Sequence, residues 1–435
     1  MSAPTIIDST ARSITAPHPA RIAFASFIGT AIEFYDFYIY ATAAALVIGP
    51  LYFPQVSASA QALSAFATFG IAFFARPVGS FVFGHFGDRR GRKTTLVASL
   101  ILMGVCTTLI GLVPDYGSIG AAAPVLLCLL RFGQGFGLGG EWGGAALLAV
   151  EHAPAGRRGW YGMFPQLGPS VGFLVANGLF FGLALTLTDA QFRSWGWRVP
   201  FLLSAVLVAV GLYVRLKIAE TPAFRTLSAR GAQLRLPLLE LLAKHWRPML
   251  LGALAMMVCY TLFYIATVYA LSYGVATLHY SRERFLALLC GAVLFMLGAT
   301  PLSAWASDRF GRRPVLICGS IAALLSGFTL APLLGAGTDL SVATFLALEL
   351  FLMGINFAPM GALLPELFPA AVRYTGAGLA YSLGGILGAS ITPYVAQLLA
   401  ARGGLTWVGA YVSSIALISL ISVLCLRETS ERSLG

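Results

Sequence analysis

The stretch ARPVGSFVFGHFGDRRGRKT, residues 75–94, decides the fold, because an apolar segment ends there in a short run of charges. These charges separate two segments that are each long and apolar enough to cross a bilayer. The stretch PLSAWASDRFGRRPV repeats the pattern in the second half, with Asp308 and Arg312 in the places of Asp88 and Arg92. The sequence therefore predicts a duplicated chain with a charged loop between two membrane helices in each half.

The composition also predicts a membrane protein. Of the 435 residues, 58% are hydrophobic and 10% are charged, which is too apolar for a water-soluble globule of this length. The net charge of +11 could suggest nucleic acid binding, but the lysines and arginines stand singly or in pairs between apolar runs. Positive loops on the cytoplasmic side explain them better, so the predicted partner is the lipid bilayer and not nucleic acid.

Apolar segments of about 20 residues or more, each long enough for one crossing, recur along the chain. They predict an all-α integral membrane protein with twelve transmembrane helices. The predicted segments are residues 21–50, 60–84, 94–114, 121–150, 160–188, 197–217, 247–275, 282–306, 314–335, 340–365, 373–400 and 404–426.

The longest polar interruption, residues 218–246, divides the chain into two six-helix halves. A second repeat supports this division, since Glu151 and Arg158 after the fourth helix match Glu366 and Arg373 after the tenth. Parallel repeats of this kind predict two pseudo-symmetric bundles with a binding site between them. The predicted units are an N-terminal bundle of residues 1–217, a cytoplasmic linker of residues 218–246 and a C-terminal bundle of residues 247–435.

Positive charge is distributed unequally when the loops are assigned alternately to the two sides of the membrane. Most of the 28 lysines and arginines fall on one side, which predicts that both termini are cytoplasmic. The first apolar segment is too long for a signal-peptide core and should remain as the first helix. The six cysteines all lie inside apolar runs without C-x-x-C spacing, so neither disulfides nor metal ligands are predicted.

The loop at residues 84–93 resembles the signature of the major facilitator superfamily, G-x-x-x-D-R-x-G-R-[RK]. Three further stretches are similar to the metabolite:proton symporter family, whose members carry shikimate, α-ketoglutarate, citrate, or proline and betaine. These are GTAIEFYDFYIYA (29–41), RFGQGFGLGGEWGGA (131–145) and RLKIAETPAF (215–224). The resemblance implies a monomeric proton-coupled symporter of the bacterial inner membrane. The signature positions are Gly84, Asp88, Arg89, Gly91, Arg92 and Lys93.

The energy source separates the classes of transporter. A nucleotide-binding P-loop needs Gly-Lys followed by Ser or Thr, whereas Lys93, Lys217 and Lys244 follow Arg, Leu and Ala. We therefore predict no ATP hydrolysis and no cofactor, and we expect a proton gradient to drive transport. An enzyme is not expected either, because no nucleophile–base pair or metal cluster lies at membrane depth.

A proton gradient requires a group that takes up and releases a proton inside the membrane. All five histidines fall outside the predicted helices or at their ends, so a carboxylate must serve. Charged groups in lipid are unfavourable unless they face the bundle interior and find partners, which makes Glu33, Asp36, Glu141 and Glu349 candidates. Glu349 stands near the predicted outer end of helix ten, where a helix-end position is the favoured interpretation.

Counting residues predicts where these acids meet a cation. At about 1.5 Å per residue, Glu33 and Arg76 each lie roughly 18 Å from the cytoplasmic edge of the membrane core, and Glu141 lies about 15 Å from it. We therefore expect Arg76 to meet both acids at the depth where symporters bind substrate. A substrate carboxylate that captures Arg76 would then favour protonation of Glu33 or Asp36. The alternative is a purely structural pair between Glu33 and Arg76.

Arg131 begins the pattern R-x-x-Q-G, which Gln134 and Gly135 complete and which the family resemblance associates with proton transfer. A guanidinium stays charged, so Arg131 can tune a carboxylate but cannot carry the proton itself. The alternative is an arginine that extends to the outer membrane surface.

Substrate contacts are expected from polar and aromatic residues that face a central cavity. Arg76, Arg131 and Arg198 lie in the half that also carries the acids, which favours a small organic acid, either a mono- or a dicarboxylate. A zwitterion such as proline or betaine is the alternative, because opposite charges at half-depth suit both of its ends. The predicted substrate-binding residues are Arg76, Tyr35, Tyr40, Gln134, Gln166, Asn177, Tyr260, Tyr264 and Asn356.

The charged loops are predicted to act as gates. The family resemblance implies that Asp88 and Arg92 contact helices across the two halves and stabilise the state closed to the cytoplasm, with Asp308 and Arg312 as weaker counterparts. Ion pairs that form in one conformation and break in the other bias the equilibrium between them. Alternating access would then be a rocking of the halves around a fixed central site.

Overall fold

The computed structural model describes residues 19–216, residue 226 and residues 237–431. The predicted linker, residues 218–246, lies largely outside these residues, and its described part includes the short helix Pro237–Lys244. The boundaries of the two bundles at this linker therefore stay predictions.

The described residues are helical nearly throughout, and no β-strand occurs among them. Within the part of the chain that the structure describes, eleven stretches are long and apolar enough to cross a membrane, and the last of these, Arg373–Cys425, runs for 53 residues. Its backbone breaks at Gly403 and Gly404, whose φ and ψ angles are not helical, so this stretch supplies two helices. The predicted all-α membrane fold with twelve transmembrane helices is confirmed.

The membrane helices are numbered α1 to α12 in chain order. The helices of the first half are α1 (Pro19–Ala43, continued by a π-helical turn Ala44–Ile48), α2 (Ala58–Arg90), α3 (Arg92–Leu112), α4 (Ala122–Glu151), α5 (Arg158–Thr186) and α6 (Val199–Leu216). The helices of the second half are α7 (Trp246–Tyr264, continued by a π-helical turn Ile265–Tyr269 and Ala270–Ala276), α8 (Arg282–Phe310), α9 (Arg312–Gly335), α10 (Asp339–Glu366), α11 (Arg373–Gly385, continued by a π-helical turn Ile386–Ser390 and residues 392–403) and α12 (residues 405–425).

The two halves repeat the same packing scheme. In the first half α1 packs against α5, α2 against α4 and α3 against α6, and in the second half α7 packs against α11, α8 against α10 and α9 against α12. The halves meet where α2 contacts α11 and where α8 contacts α5. These two contacts are equivalent, because α8 and α5 are the counterparts of α2 and α11 in the opposite halves. The duplication seen in the sequence is therefore a duplication of helix packing.

Glycine sets the turns at the two repeated loops. Gly91 separates α2 from α3 with φ of 119°, and Gly311 separates α8 from α9 with φ of 96°. Side chains rarely adopt such positive φ values, so glycine lets each helix pair turn within a single residue. Each signature loop is therefore a tight corner that places its Asp and Arg at the end of the bundle.

Two glycines of α4 serve helix packing. A Cβ atom at Gly135 would overlap the backbone of Ala72, and one at Gly139 would overlap the backbone of Arg76. The absence of side chains at these positions lets α2 and α4 approach closely. The backbone of α2 at Arg76 therefore packs directly against α4.

Candidate functional site

A buried acid and a buried arginine of the first half lie where the two halves meet. Glu33 of α1 is 0% exposed and Arg76 of α2 is 3% exposed. The two side chains are close enough to interact electrostatically. Both Glu33 oxygens, and Nε and Nη2 of Arg76, lack a hydrogen-bond partner among the described residues. Unused hydrogen-bonding capacity in a buried charged group is unfavourable in a structural core and typical of a binding site.

Aromatic side chains from both halves surround this pair. The guanidinium carbon of Arg76 lies 5.2 Å from the centre of the Tyr381 ring. Tyr381 of α11 stacks on Trp142 of α4 with ring centres 3.9 Å apart and ring planes 5° apart. Tyr260 of α7 lies 5.5 Å from Tyr381, again between ring centres. We call these five residues, Glu33, Arg76, Trp142, Tyr260 and Tyr381, the central cluster.

The central cluster combines two charges with unpaired hydroxyl groups. Within the described ranges, the hydroxyls of Tyr260 and Tyr381 have no hydrogen-bond partner. Tyr264, one helical turn after Tyr260, also interacts with the charge of Arg76. The predicted substrate residues Arg76, Tyr260 and Tyr264 are therefore brought together, whereas Tyr381 was not predicted. A single tyrosine in an apolar helix carries no signal of its orientation.

Gln166 fixes one wall of the cluster. Its side-chain oxygen accepts a hydrogen bond from Nε1 of Trp142 at 2.7 Å, and its nitrogen donates to the carbonyl of Phe357 at 2.7 Å. Because Phe357 lies on α10, this amide connects the indole of the first half to the backbone of the second. Gln166 thus adjoins the central cluster with both of its polar atoms engaged.

Glu141 does not meet Arg76, contrary to expectation. It forms an ion pair with Arg215 of α6, and it accepts a hydrogen bond from Ser99 of α3 at 3.1 Å. Arg215 in turn donates to the carbonyl of Leu96 at 2.7 Å. The reason is that the last turn of α6 buries Arg215, which the sequence placed at the cytoplasmic edge.

Glu33 and Asp36 face different neighbours although they lie one helical turn apart. Ser204 of α6 donates a hydrogen bond to Oδ1 of Asp36, while Oδ2 has no hydrogen-bond partner in the described part of the chain. Tyr35, also expected at the cavity, donates to the carbonyl of Pro200 at 2.9 Å. Asp36 and Tyr35 therefore belong to the α1–α6 contact.

Arg131 forms a network inside the first half. It donates hydrogen bonds to Gln134 and, at 3.1 Å, to the carbonyl of Phe69, and its guanidinium carbon lies 3.8 Å from the centre of the Tyr40 ring. Gln134 donates to the backbone carbonyl of Asp36 at 3.1 Å. Because Arg131 is fully buried, the alternative in which it extends to the membrane surface is wrong.

The two predicted asparagines also lie away from the central cluster. Asn177 accepts a hydrogen bond from Thr42 at 3.1 Å, which joins α5 to α1. Asn356 donates to the carbonyl of Leu352 at 2.9 Å and packs against Gly319 of α9. Substrate contacts by Tyr35, Tyr40, Gln134, Asn177 and Asn356 stay predictions without support from this arrangement.

The first signature loop contacts the opposite half. Asp88 accepts hydrogen bonds from the backbone N–H groups of Tyr374 at 3.2 Å and Thr375 at 3.0 Å, in the first turn of α11. A carboxylate at a helix N-terminus is favoured by the free N–H groups and the helix dipole. Arg92 lies 3.7 Å from Asp88 and 3.6 Å from Glu151, measured between nitrogen and oxygen.

The second signature loop mirrors the first. Asp308 accepts hydrogen bonds from the N–H groups of Gly159 at 2.7 Å and Trp160 at 2.8 Å, in the first turn of α5. Arg312 lies 2.8 Å from Asp308 and 3.3 Å from Glu366. These contacts match those of Asp88 and Arg92, so the geometry gives no sign that the second loop is the weaker one.

The repeated Glu and Arg residues form ion pairs across the boundary between the halves. Glu151 pairs with Arg373 at 3.0 Å, and Glu366 pairs with Arg158 at 3.6 Å. We call the two sets the first and second loop clusters; the first contains Asp88, Arg92, Glu151 and Arg373, and the second contains Asp308, Arg312, Glu366 and Arg158. Both lie at the same end of the bundle and hold the halves together there.

The segment after α12 joins the second loop cluster. Glu428 accepts hydrogen bonds from the N–H groups of Arg312 at 3.0 Å and Arg313 at 2.9 Å, at the start of α9. Partial burial opposes ionisation of Glu428, but these backbone donors and those of Thr429 and Ser430 outweigh it and hold its pKa below the ordinary value.

Comparison with known proteins agrees with this architecture. The model of the family "Sugar (and other) transporter" matches residues 22–234, and that of the "Major Facilitator Superfamily" matches residues 276–434. The chain is 52% identical over 419 residues to the inner membrane metabolite transport protein YhjE of Escherichia coli (strain K12), covering 95% of each chain.

Further relatives have different named substrates. The chain is 39% identical to the shikimate transporter of Escherichia coli (strain K12), covering 94% of this chain and 95% of that one. It is 32% identical to the proline/betaine transporter of Salmonella typhimurium (strain LT2), covering 94% and 84%. The proton:xylose symporter XylE bound to 6-bromo-6-deoxy-D-glucose shares the fold, with a TM-score of 0.78, 17% identity and coverage of 96% and 97%.

A duplicated bundle of twelve membrane helices with a polar cluster between its halves defines a membrane transporter and not an enzyme. The chain belongs to the major facilitator superfamily and, within it, to the metabolite:proton symporter group of metabolite transport proteins.

Proposed function

We propose that the protein is a proton-coupled symporter that imports a small polar organic acid by alternating access. It would lie in the bacterial inner membrane with both termini in the cytoplasm, and it would use the proton gradient without a cofactor. One observation carries the proposal: Glu33 and Arg76 keep unpaired polar atoms within an aromatic cluster that both halves build.

Arg76 is the proposed anchor for a substrate carboxylate. A planar guanidinium with free N–H groups binds a carboxylate through two parallel hydrogen bonds. The unpaired hydroxyls of Tyr260 and Tyr381 would bind polar groups elsewhere on the substrate. Since Trp142 and Tyr381 stack beside Arg76, the bound molecule would be small and would lie against ring faces.

Glu33 is the proposed proton carrier at this site. While the site is empty, the charge of Arg76 stabilises the ionised carboxylate of Glu33. A bound substrate carboxylate would take over Arg76, so Glu33 would gain a proton at that moment. Substrate and proton would then cross together, because binding of either one alone would leave the cluster with a net charge.

Asp36, Arg131 and Glu141 are proposed to support proton transfer indirectly. The network of Arg131 and Gln134 reaches the backbone of Asp36 and holds α1 in place. Glu141 would release or accept a proton only when its ion pair with Arg215 opens. Glu33 is therefore the stronger candidate, with Asp36 second.

The loop clusters are proposed to be the cytoplasmic gate. Asp88 and Asp308 each cap a helix of the opposite half, so these contacts exist only while the halves are close at this end. Separation of the halves would break both clusters together and open the central cluster to the cytoplasm. The contacts therefore stabilise the state closed to the cytoplasm.

A zwitterion is the alternative substrate. Glu33 and Arg76 provide opposite charges, and tyrosine and tryptophan rings attract the cationic group of a betaine. The proline/betaine transporter among the relatives gives this alternative further support.

Transport by the full-length protein in proteoliposomes tests the proposal. The panel contains shikimate, α-ketoglutarate, citrate, proline and glycine betaine, each supplied with and without an inward proton gradient. We expect one of the acids to accumulate above its outside concentration and a protonophore to abolish accumulation. Accumulation of proline or betaine alone would establish the alternative, and equilibration unaffected by the gradient would refute proton symport.

A further inference from the structure

A second isolated acid lies in the C-terminal half, away from the central cluster. Glu349 is on α10, ten residues after the helix begins at Asp339, and its side chain is 0% exposed. Ten residues correspond to about 15 Å along the helix axis, so Glu349 lies within the apolar core of the membrane. Glu349 therefore lies about three helical turns from the start of α10, and a helix-end position stays the alternative to a proton site.

Glu349 has little polar support, since Ser326 is the polar side chain beside it. Neither of its carboxylate oxygens has a hydrogen-bond partner among the residues that the structure describes. The polar side chain that faces it is Ser326 of α9, and the hydroxyl hydrogen of Ser326 is donated to the carbonyl of Ala323 at 2.9 Å. The helices packed against α10 otherwise present mainly apolar and small residues at this depth.

In α7, α8, α9 and α12, charged residues are confined to the helix ends. In the described residues, no ion pair involves Glu349. Between the ends of these four helices, the titratable groups are thiols and phenols, which are uncharged at neutral pH. α4 also contacts α10, and its charged residues Arg131 and Glu141 have partners within the first half. The charged groups at the ends are Arg247 of α7, Arg282, Glu283, Arg284, Asp308 and Arg309 of α8, Arg312 and Arg313 of α9, and Asp339 and Glu366 of α10; the neutral groups between are Cys290 of α8, Cys318 of α9, Cys259, Tyr260, Tyr264, Tyr269 and Tyr273 of the α7 segment and Tyr411 of α12.

An ionised carboxylate is strongly disfavoured in such surroundings. Glu349 is therefore a neutral carboxylic acid while α8, α9 and α10 are packed as in this structure. A neutral acid without hydrogen bonds adds nothing to packing that an apolar residue of similar volume would not provide. An ionisable residue at this depth thus indicates a function in which its proton takes part.

We propose that Glu349 is a second proton-binding residue of the transport cycle, housed in the C-terminal half. A proton from water adds to its carboxylate on the outer side, and the same O–H bond breaks to return a proton to water on the cytoplasmic side. No other bond changes. The inference rests on the proposed proton symport and adds one proton per cycle to that carried at the central cluster.

The number of protons moved per substrate tests the proposal. Reversal-potential measurements in proteoliposomes give this ratio for the wild type, Glu349→Gln and Glu33→Gln, with the substrate identified in the uptake panel. We expect Glu349→Gln to move one proton fewer than the wild type while substrate exchange at equal pH continues unchanged. A wild-type ratio in Glu349→Gln would overturn the proposal.

A second variant distinguishes the loss of a proton site from a loss of folding. The amide of glutamine would itself lack partners at this position, so Glu349→Gln can destabilise the bundle. Glu349→Met provides an unbranched apolar side chain of similar length. It should fold at least as stably as Glu349→Gln and show the same loss of one proton, and an unchanged ratio in Glu349→Met would overturn the proposal equally.

The same measurements separate this inference from the proposed function. If the wild type moves no protons with its substrate, both fail. If the wild-type ratio falls in Glu33→Gln but not in the Glu349 variants, proton symport stands and the second site is refuted. Infrared spectra at neutral pH should also contain a carboxylic acid band that Glu349→Gln removes, and the absence of such a band would show that Glu349 is ionised.

Discussion

The central cluster and the two loop clusters differ in whether their buried charged groups have hydrogen-bond partners. In the loop clusters, Asp88 and Asp308 each accept backbone N–H groups from the other half and each pair with an arginine. In the central cluster, Glu33 and Arg76 leave several polar atoms without a partner in the described part of the chain. The first arrangement holds two bodies together, and the second leaves hydrogen bonds for a ligand.

This difference indicates which contacts survive a conformational change. In the loop clusters, Arg92 and Arg312 pair with acids of their own half, whereas the aspartates also accept N–H groups from the other half. Separation of the halves therefore removes the contacts across the boundary together and leaves the pairs within each half. The charges of the central cluster lie on neighbouring helices of one half, and they need a ligand in either conformation. A transporter requires both kinds of site. The contacts of a gate have to break when the conformation changes, whereas the residues of a binding site have to stay together in both conformations.

The largest expected effect is that of Arg76→Gln. The variant loses the charge-assisted hydrogen bonds that we propose for the substrate carboxylate. Two such bonds, at about 1.5–3 kcal/mol each, predict a loss of roughly 100-fold or more in uptake. Initial uptake rates in proteoliposomes measure it. Arg402→Gln, which removes an exposed arginine, is the matched control and should transport normally; near-normal uptake by Arg76→Gln would remove Arg76 from the substrate site.

The next largest effect is expected from Asp88→Asn and Asp308→Asn. An asparagine has one acceptor oxygen and no charge, so it cannot satisfy the helix N-terminus as the aspartate does. Each lost charge-assisted contact is worth about 1.5–3 kcal/mol. We expect uptake to fall roughly tenfold or more, while thermal shifts still detect bound substrate.

The pair of gate variants also sharpens the comparison between the loops. Equivalent geometry predicts equivalent losses for Asp88→Asn and Asp308→Asn, measured as uptake at equal protein density. A much smaller loss for Asp308→Asn would favour the expectation from family resemblance, in which the second loop is the weaker one.

Gly29→Ala is expected to have a moderate effect on stability. A methyl group at Gly29 would overlap the guanidinium of Arg215, which pairs with Glu141. Overpacking of this kind costs about 1–3 kcal/mol. Thermal unfolding in detergent measures the loss. Gly178→Ala on α5 meets no neighbouring atom and should be neutral; equal stability of both variants would contradict the tight packing of Arg215.

The smallest effect is expected from Glu428→Gln, and it depends on pH. Because folding lowers the pKa of Glu428, its contribution to stability is complete above the unfolded-state pKa and is lost as the pH falls through the folded-state pKa. Wild type should therefore be slightly more stable than Glu428→Gln at neutral pH, and the difference should vanish in acid. Melting temperatures across this pH range measure it, and a difference that grows toward acid pH would have the wrong sign.

Much of the fold could be predicted from the sequence. Apolar runs define the helices because the bilayer requires about 20 apolar residues per crossing. The two copies of the signature loop, which contain Gly91 and Gly311, revealed the duplication because each tight corner combines a glycine with charges at fixed positions. The sequence also predicted separate segments at residues 373–400 and 404–426, which agrees with the break at Gly403 and Gly404.

The site was predicted less completely. Arg76, Glu33, Tyr260 and Tyr264 were found because charge at membrane depth and helical spacing are visible in a sequence. Tyr381 was missed, and so was the pairing of Arg215 with Glu141. The neighbours of each residue depend on how its helix is rotated about its own axis. A helix that is apolar on nearly all sides has little periodic pattern in its sequence from which this rotation could be predicted.

The sequence by itself determined the class of protein, the number of crossings, the internal duplication and the small set of ionisable residues inside the membrane, because these follow from composition and spacing. Only the tertiary structure decided which charges are paired. It paired Glu141 with Arg215 and gave Asp88 and Asp308 partners in the opposite half. Among the described residues, it offered no hydrogen-bond partner to the carboxylate oxygens of Glu33 and Glu349 or to Nε and Nη2 of Arg76. Pairing depends on how helices distant in sequence are rotated and packed, and no local pattern of residues specifies that.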